Sequence, residues 1–167
     1  IDDIDHLGNR RVRTVGEQLQ KQLLEAQQHE PGYDPNTWRQ LSELGLCSLL
    51  IDETHEGTAM GMEAMSAVCS LFGEHLLASP FFAHAMMACD LLNQSDALSL
   101  KEEHLSRWAA GTTLASIALN GSGHWNGNQL NGTWSYVPHG GQADLIIARA
   151  HDQHNEPVLL LVPQQDF

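Results

Sequence analysis

The sequence predicts an α+β protein, with an all-helical part first and antiparallel strands second. Three observations carry this. Up to about residue 110, apolar residues recur at three- and four-residue steps between Pro- and Gly-marked breaks. At Gly111 that period gives way to short runs rich in small and β-branched residues, the pattern of strands. Beyond it lie two Asn-Gly pairs, Asn126-Gly127 and Asn131-Gly132, the dipeptide of two-residue hairpin turns.

The elements follow in order. Val12, Val15, Leu19, Leu23 and Ala26 form one stripe, predicting a helix over 12–28 that Glu30-Pro31-Gly32 breaks. Asp34-Pro35 starts the next helix, with Asp34 as N-cap and Pro35 in the first helical position. Its Trp38, Leu41 and Leu44 are expected to face inward, and Gly45 to end it. A short apolar stretch, 46–51, and a polar loop, 52–61, lead to a stripe of Met62, Met65, Cys69 and Phe72. Ser79-Pro80 opens a helix to about Leu92 by the same cap logic. Ser99-Leu-Lys-Glu102 reads as the capping box of a last helix carrying Leu105 and Trp108. Strands are expected over 112–119, 133–137, 145–150 and 158–162, joined as a meander. The organisation expected is a lead-in over 1–11, a helical domain over 12–110 and a β-rich domain over 111–167.

Composition excludes several classes. Acidic residues number 21 against 8 Lys plus Arg, for a formal net charge of -13, so a phosphate backbone would be repelled and no nucleic-acid partner is expected. Five of the eight basic residues fall in the first 40 positions. No apolar run is long enough to span a bilayer. The three cysteines are scattered and suit a reducing, cytoplasmic setting as buried core thiols. The ten histidines are scattered too, and only His151 and His154 approach ligand spacing, without a Cys partner, so no metal site is assigned. The chain has no initiating Met, and a fragment is the reading that follows.

Several motifs, weak singly, recur in one order. They are Trp38-Arg-Gln-Leu-Ser-Glu-Leu-Gly45, Asp52-Glu-Thr-His-Glu-Gly57, Phe72-Gly73-Glu74 followed by Ser79-Pro80, Leu130-Asn-Gly-Thr133, and Ala143-Asp144. Together, over roughly residues 15–167, they resemble the acyl-CoA dehydrogenase family. The resemblance implies an acyl-CoA dehydrogenase-like helical domain followed by an incomplete antiparallel β-domain, with FAD as cofactor and an acyl-CoA thioester as substrate. It also implies a homo-oligomeric full-length parent, with no electron acceptor specified. Residues 2–19 separately resemble a segment of the bacterial RNA polymerase β subunit, which suggests a junction there.

The resemblance points to Leu119, Asn120, Ser122, Tyr136, Val137 and Pro138 as flavin contacts, and to Phe81, Phe82, Met86 and Met87 along the acyl chain. It also exposes departures. Asn120-Gly121-Ser122 stands where relatives often carry Thr-Glu-Pro, Tyr136 where a Trp is common, and Trp134 where a Lys follows the Asn-Gly pair. Pro138 replaces a Thr or Ser and cannot donate a hydrogen bond. The family's catalytic carboxylate comes from a second helical domain, so no catalytic base is assigned; Glu53, Glu63 and Glu74 read as solvated helix faces. The alternative is a non-catalytic helical interaction module that has lost flavin binding.

Overall fold

A computed structural model describes Lys21 and residues 32–167. The helix expected over 12–28 and the lead-in over 1–11 lie outside the described residues, Lys21 excepted. Helix α1 spans Pro35–Glu43. The Asp34 carboxylate accepts the amides of Asn36 and Thr37, each at 3.1 Å, satisfying donors that the helix leaves open. Gly45 follows at φ 76°, the left-handed position that glycine occupies without steric cost. Trp38 and Leu41 are buried as expected, but Leu44, at the C-cap, is 74% exposed. The helix ends before its stripe can carry Leu44 round to the core.

Helix α2 spans Gly61–Glu74 and buries Met65 fully. The next segment departs from expectation. Ser79 Oγ accepts the Phe81 amide at 3.2 Å, as its cap role requires, yet Phe82–Ala88 is a π-helix that passes into α3, Cys89–Asn93. Helix α4 spans Leu98–Ala109. Its expected capping box does not form: Ser99 lies inside the helix and no side chain caps the first turn, Ser95 Oγ accepting only the amide of Ala97, the N-cap residue. Leu105 and Trp108 are buried as expected.

Strands β1 (Ala115–Ala118), β2 (Gly121–Trp125), β3 (Leu130–Trp134), β4 (Leu145–His151) and β5 (Pro157–Pro163) form one sheet. The sheet is mixed, not a purely antiparallel meander. β1 runs parallel to β4 with Ala115 opposite Leu145, while the β2–β3 and β4–β5 pairs are antiparallel. The β2–β3 hairpin thus sits inside the crossover that parallel pairing demands. Asp144 fixes the register: its Oδ2 accepts the Leu114 amide at 2.7 Å and its own amide donates to the Leu114 carbonyl.

Of the two Asn-Gly pairs, only the first is a turn. Gly127 has φ 91°, and Asn126 Oδ1 accepts the amides of Asn128 and Gln129. Asn131-Gly132 lies within β3, where Gly132 faces Gly123 across the hairpin. A Cβ on Gly132 would stand 2.5 Å from the Ser122 carbonyl oxygen, 2.6 Å from Gly123 Cα and 2.7 Å from the Trp134 ring, so this glycine allows the close approach of the facing strand and the indole rather than a bend.

The core runs across the boundary between helices and sheet. Ile51, Cys89, Leu105 and Trp108 pack against Ala115, Ile117 and Ile147. His84, fully buried, stitches the two layers. Its Nδ1 accepts the Ala115 amide at 3.0 Å, so the proton sits on Nε2, which donates to the Trp108 carbonyl at 2.9 Å. Burial pushes the His84 pKa down to about 4, keeping the ring neutral in that role.

Candidate functional site

An open groove of about 340 Å³ lies where the π-helix and α3 meet β1. Phe82, Met86, Asp90 and Gln94 line its helical wall at every fourth residue. Four residues overshoot one α-helical turn of 3.6 and fall short of a π turn, so the two drifts offset each other across Ala88–Cys89. The stripe therefore stays on one face, and Gln94 Nε2 donates to Asp90 Oδ1 at 2.7 Å at its far end. Ile117 and Leu119 form the opposite wall, and Met62 enters from the start of α2.

The acyl-chain candidates divide. Phe82, Met86 and Met87 line the groove, whereas Phe81 is buried behind it with its ring edge-on to Phe72 at 4.8 Å. Met62, Asp90, Leu91, Gln94 and Ile117 were missed as lining residues. The four-residue step from Phe82 was the signal for Asp90 and Gln94; nothing local marks Ile117, which arrives from another element.

The flavin candidates fall on two segments that the sheet brings side by side. The Ser135 amide donates to the Asn120 carbonyl at 2.8 Å, and Ser122 pairs with Thr133 across the hairpin. Leu119 lines the groove itself, so the 119–122 segment abuts it. Asn120 and Ser122 are exposed. Tyr136 is 91% exposed, with φ 55°, a left-handed conformation uncommon outside glycine. Val137 packs instead on the cluster of Ala118 and Ile146, and the Pro138 carbonyl accepts the buried Ser116 hydroxyl. Val137 and Pro138 thereby anchor the loop that displays Tyr136.

Trp134 lies flat over glycines. A Cβ on Gly123 would come 2.3 Å from its Cζ2. Its Nε1 donates to the Arg149 carbonyl at 2.9 Å, and its ring packs 5.0 Å from that of Phe167. Among the described residues no group of three His, Cys, Asp or Glu could hold a metal ion, and no helix is long and apolar enough to cross a membrane.

Helices leading into a mixed sheet, with an apolar groove at their seam, define the class. The family model for the acyl-CoA dehydrogenase N-terminal domain matches residues 9–112, more than half of the chain, and the chain belongs to the acyl-CoA dehydrogenase family. The match takes in most of segment 2–19, and the polymerase resemblance of that segment is not borne out. Its short run of shared residues is outweighed by a family pattern extending over the helical part.

Solved structures of the same fold include a variant of the Tcur3481-Tcur3483 steroid ACAD, at TM-score 0.75 and 20% identity over 94% of this chain and 48% of that one. The ChsE4-ChsE5 complex from Mycobacterium tuberculosis matches at TM-score 0.74 and 22% identity, over 83% of this chain and 40% of that one. A glutaryl-CoA dehydrogenase from Mycobacterium smegmatis in complex with FADH2 matches at TM-score 0.64 and 19% identity, over 78% and 38%. The chain thus spans less than half the length of each. No curated protein matches it.

Proposed function

We propose that the chain is the N-terminal helical region (12–110) and part of the β-rich middle region (111–167) of a flavin-dependent dehydrogenase that removes two hydrogens, α and β, from an acyl-CoA thioester. One observation carries the reading: the groove joins three acyl-chain candidates, Phe82, Met86 and Met87, to a flavin-side candidate, Leu119. An acyl chain entering it leaves water for apolar walls.

The residues present fit a flavin on the 119–122 side. The Asn120 amide and Ser122 hydroxyl are exposed there, and Tyr136 offers an open ring for stacking. Pro138 contributes no donor, so polar recognition falls to Asn120 and Ser122. FAD bound there would supply the hydride acceptor. This chain's own residues seat the acyl group, hold the ring and exclude water. Glu53, Glu63 and Glu74 do not line the groove, consistent with a general base from outside these residues. The parent is read as a cytoplasmic homo-oligomer that passes electrons to a separate acceptor.

The test is to purify the full-length protein and look for flavin absorbance, then for anaerobic bleaching on adding acyl-CoA. Bound flavin that bleaches supports the reading. A folded protein that takes up no FAD would favour the non-catalytic module. Assayed alone with FAD and an artificial acceptor, the 167-residue chain should turn over at least ~10²–10⁴ more slowly, the usual contribution of an acid–base group.

A further inference from the structure

A second groove of about 280 Å³ adjoins the first, and Phe82 lines both. Its back wall is the Phe72–Phe81 pair, rings 4.8 Å apart and edge-on. Its rim is Leu76, held at φ 52° by the turn that ends α2, where the Leu77 amide donates to the Phe72 carbonyl at 3.0 Å. A leucine in left-handed backbone is strained, and such strain persists only where its surroundings over-determine it. Between these two apolar hollows stands the Phe82 ring, 53% exposed, at the first position of the π-helix.

We propose that Phe82 is a partition that sets the size of the acyl group, confining it to the first groove, with the second groove as the space that a larger acyl group would take if the ring were absent. This rests on the acyl-CoA reading above. Phe82 lines both hollows, whose walls are mainly apolar, so shortening its side chain opens space from the first toward the second. The substrate class that follows is an acyl thioester whose acyl group fits the first groove alone.

Gly73 supplies an independent handle. It lines the second groove, and a Cβ built on it meets nothing within 4 Å. A leucine there adds bulk at the edge of that hollow, and Gly73 does not line the first groove.

The test measures Kd on the full-length protein for a homologous series of straight-chain acyl-CoA thioesters, with thermal melts confirming that each variant is folded. Phe82→Ala should shift preference toward the longer members by about tenfold or more, the scale on which apolar pockets discriminate. Phe82→Trp should move the cutoff the other way. Gly73→Leu should change nothing alone, yet cancel the gain in the Phe82→Ala background. An unchanged length profile in Phe82→Ala, or a gain that survives Gly73→Leu, overturns the partition. If the wild-type protein binds no acyl-CoA of any length, the acyl-CoA reading fails instead. The same five proteins titrated with straight-chain alcohols then judge the partition by the same length shift, its presence upholding it and its absence overturning it.

Discussion

Two tryptophans organise two regions in opposite ways. Trp108 is fully buried at the helix–sheet seam, and its Nε1 has no hydrogen-bond partner among the described residues. Volume holds it: apolar side chains and the rings of His84 and His104 pack around it, and its backbone carbonyl, not its ring nitrogen, takes the His84 bond. Trp134 is half-buried on the β2–β3 hairpin, and the absence of side chains holds it, since Gly121, Gly123 and Gly132 leave the bed in which it lies. Its Nε1 is satisfied by the Arg149 carbonyl. One region is built by filling space and the other by leaving space open. The seam should therefore fail when atoms are removed and the hairpin when atoms are added.

The largest expected effect breaks the seam. Trp108→Ala should cost about 3–5 kcal/mol, the range for deleting a large aromatic from a core. Trp108→Phe should cost clearly less, because no indole hydrogen bond is lost. Denaturant melts check both, and a Trp108→Phe loss as large as that of Trp108→Ala would show that the indole N–H matters after all.

Next comes pH. Buried His84 has a pKa of about 4 against an ordinary 6.5, so between those values the unfolded chain binds a proton that the folded chain refuses. The stabilisation is fully present above pH 6.5 and is lost as pH falls toward about 4, by roughly 3 kcal/mol for a gap of that size. Melting across that window should show the slope, and His84→Ala should flatten it.

The hairpin provides the opposite sign of change. Gly123→Ala places a methyl 2.3 Å from the Trp134 ring and should cost about 1–3 kcal/mol by overpacking. The smallest effect is its counterpart in α2. Gly73→Ala meets open space within a helix and should stabilise by about 0.5–1 kcal/mol. Equal losses at the two glycines would erase the contrast between the regions.

The candidate site was legible in proportion to how local its signals are. Phe82, Met86 and Met87 were named by resemblance, and they share one groove because they lie close together on a single helical segment. The flavin-side set was found by resemblance, and the structure gathers it through the Asn120–Ser135 bond, with Leu119 on the groove and Val137 and Pro138 as anchors of the loop. Phe81 was drawn toward the groove by its neighbour, yet one step along a helix turns a side chain by about 100° and sends it into the core.

The sequence by itself determined what is settled within a few residues of chain. It set the Asp34-Pro35 helix start, the stop at Gly45, the Asn126-Gly127 turn, the change of period at Gly111, and Leu105 and Trp108 as core. Tertiary structure alone decided the parallel pairing of β1 with β4, the π-helix, the exposure of Leu44 and the place of Asn131-Gly132 inside a strand. Two of these rest on partners distant in sequence: Asp144 on Leu114 sets the register of β1 and β4, and Ser122 and Gly123 across the hairpin hold Gly132 within a strand. Local propensity records the conformations open to a segment; the packing partner selects among them, because the area it buries outweighs the small differences between local states.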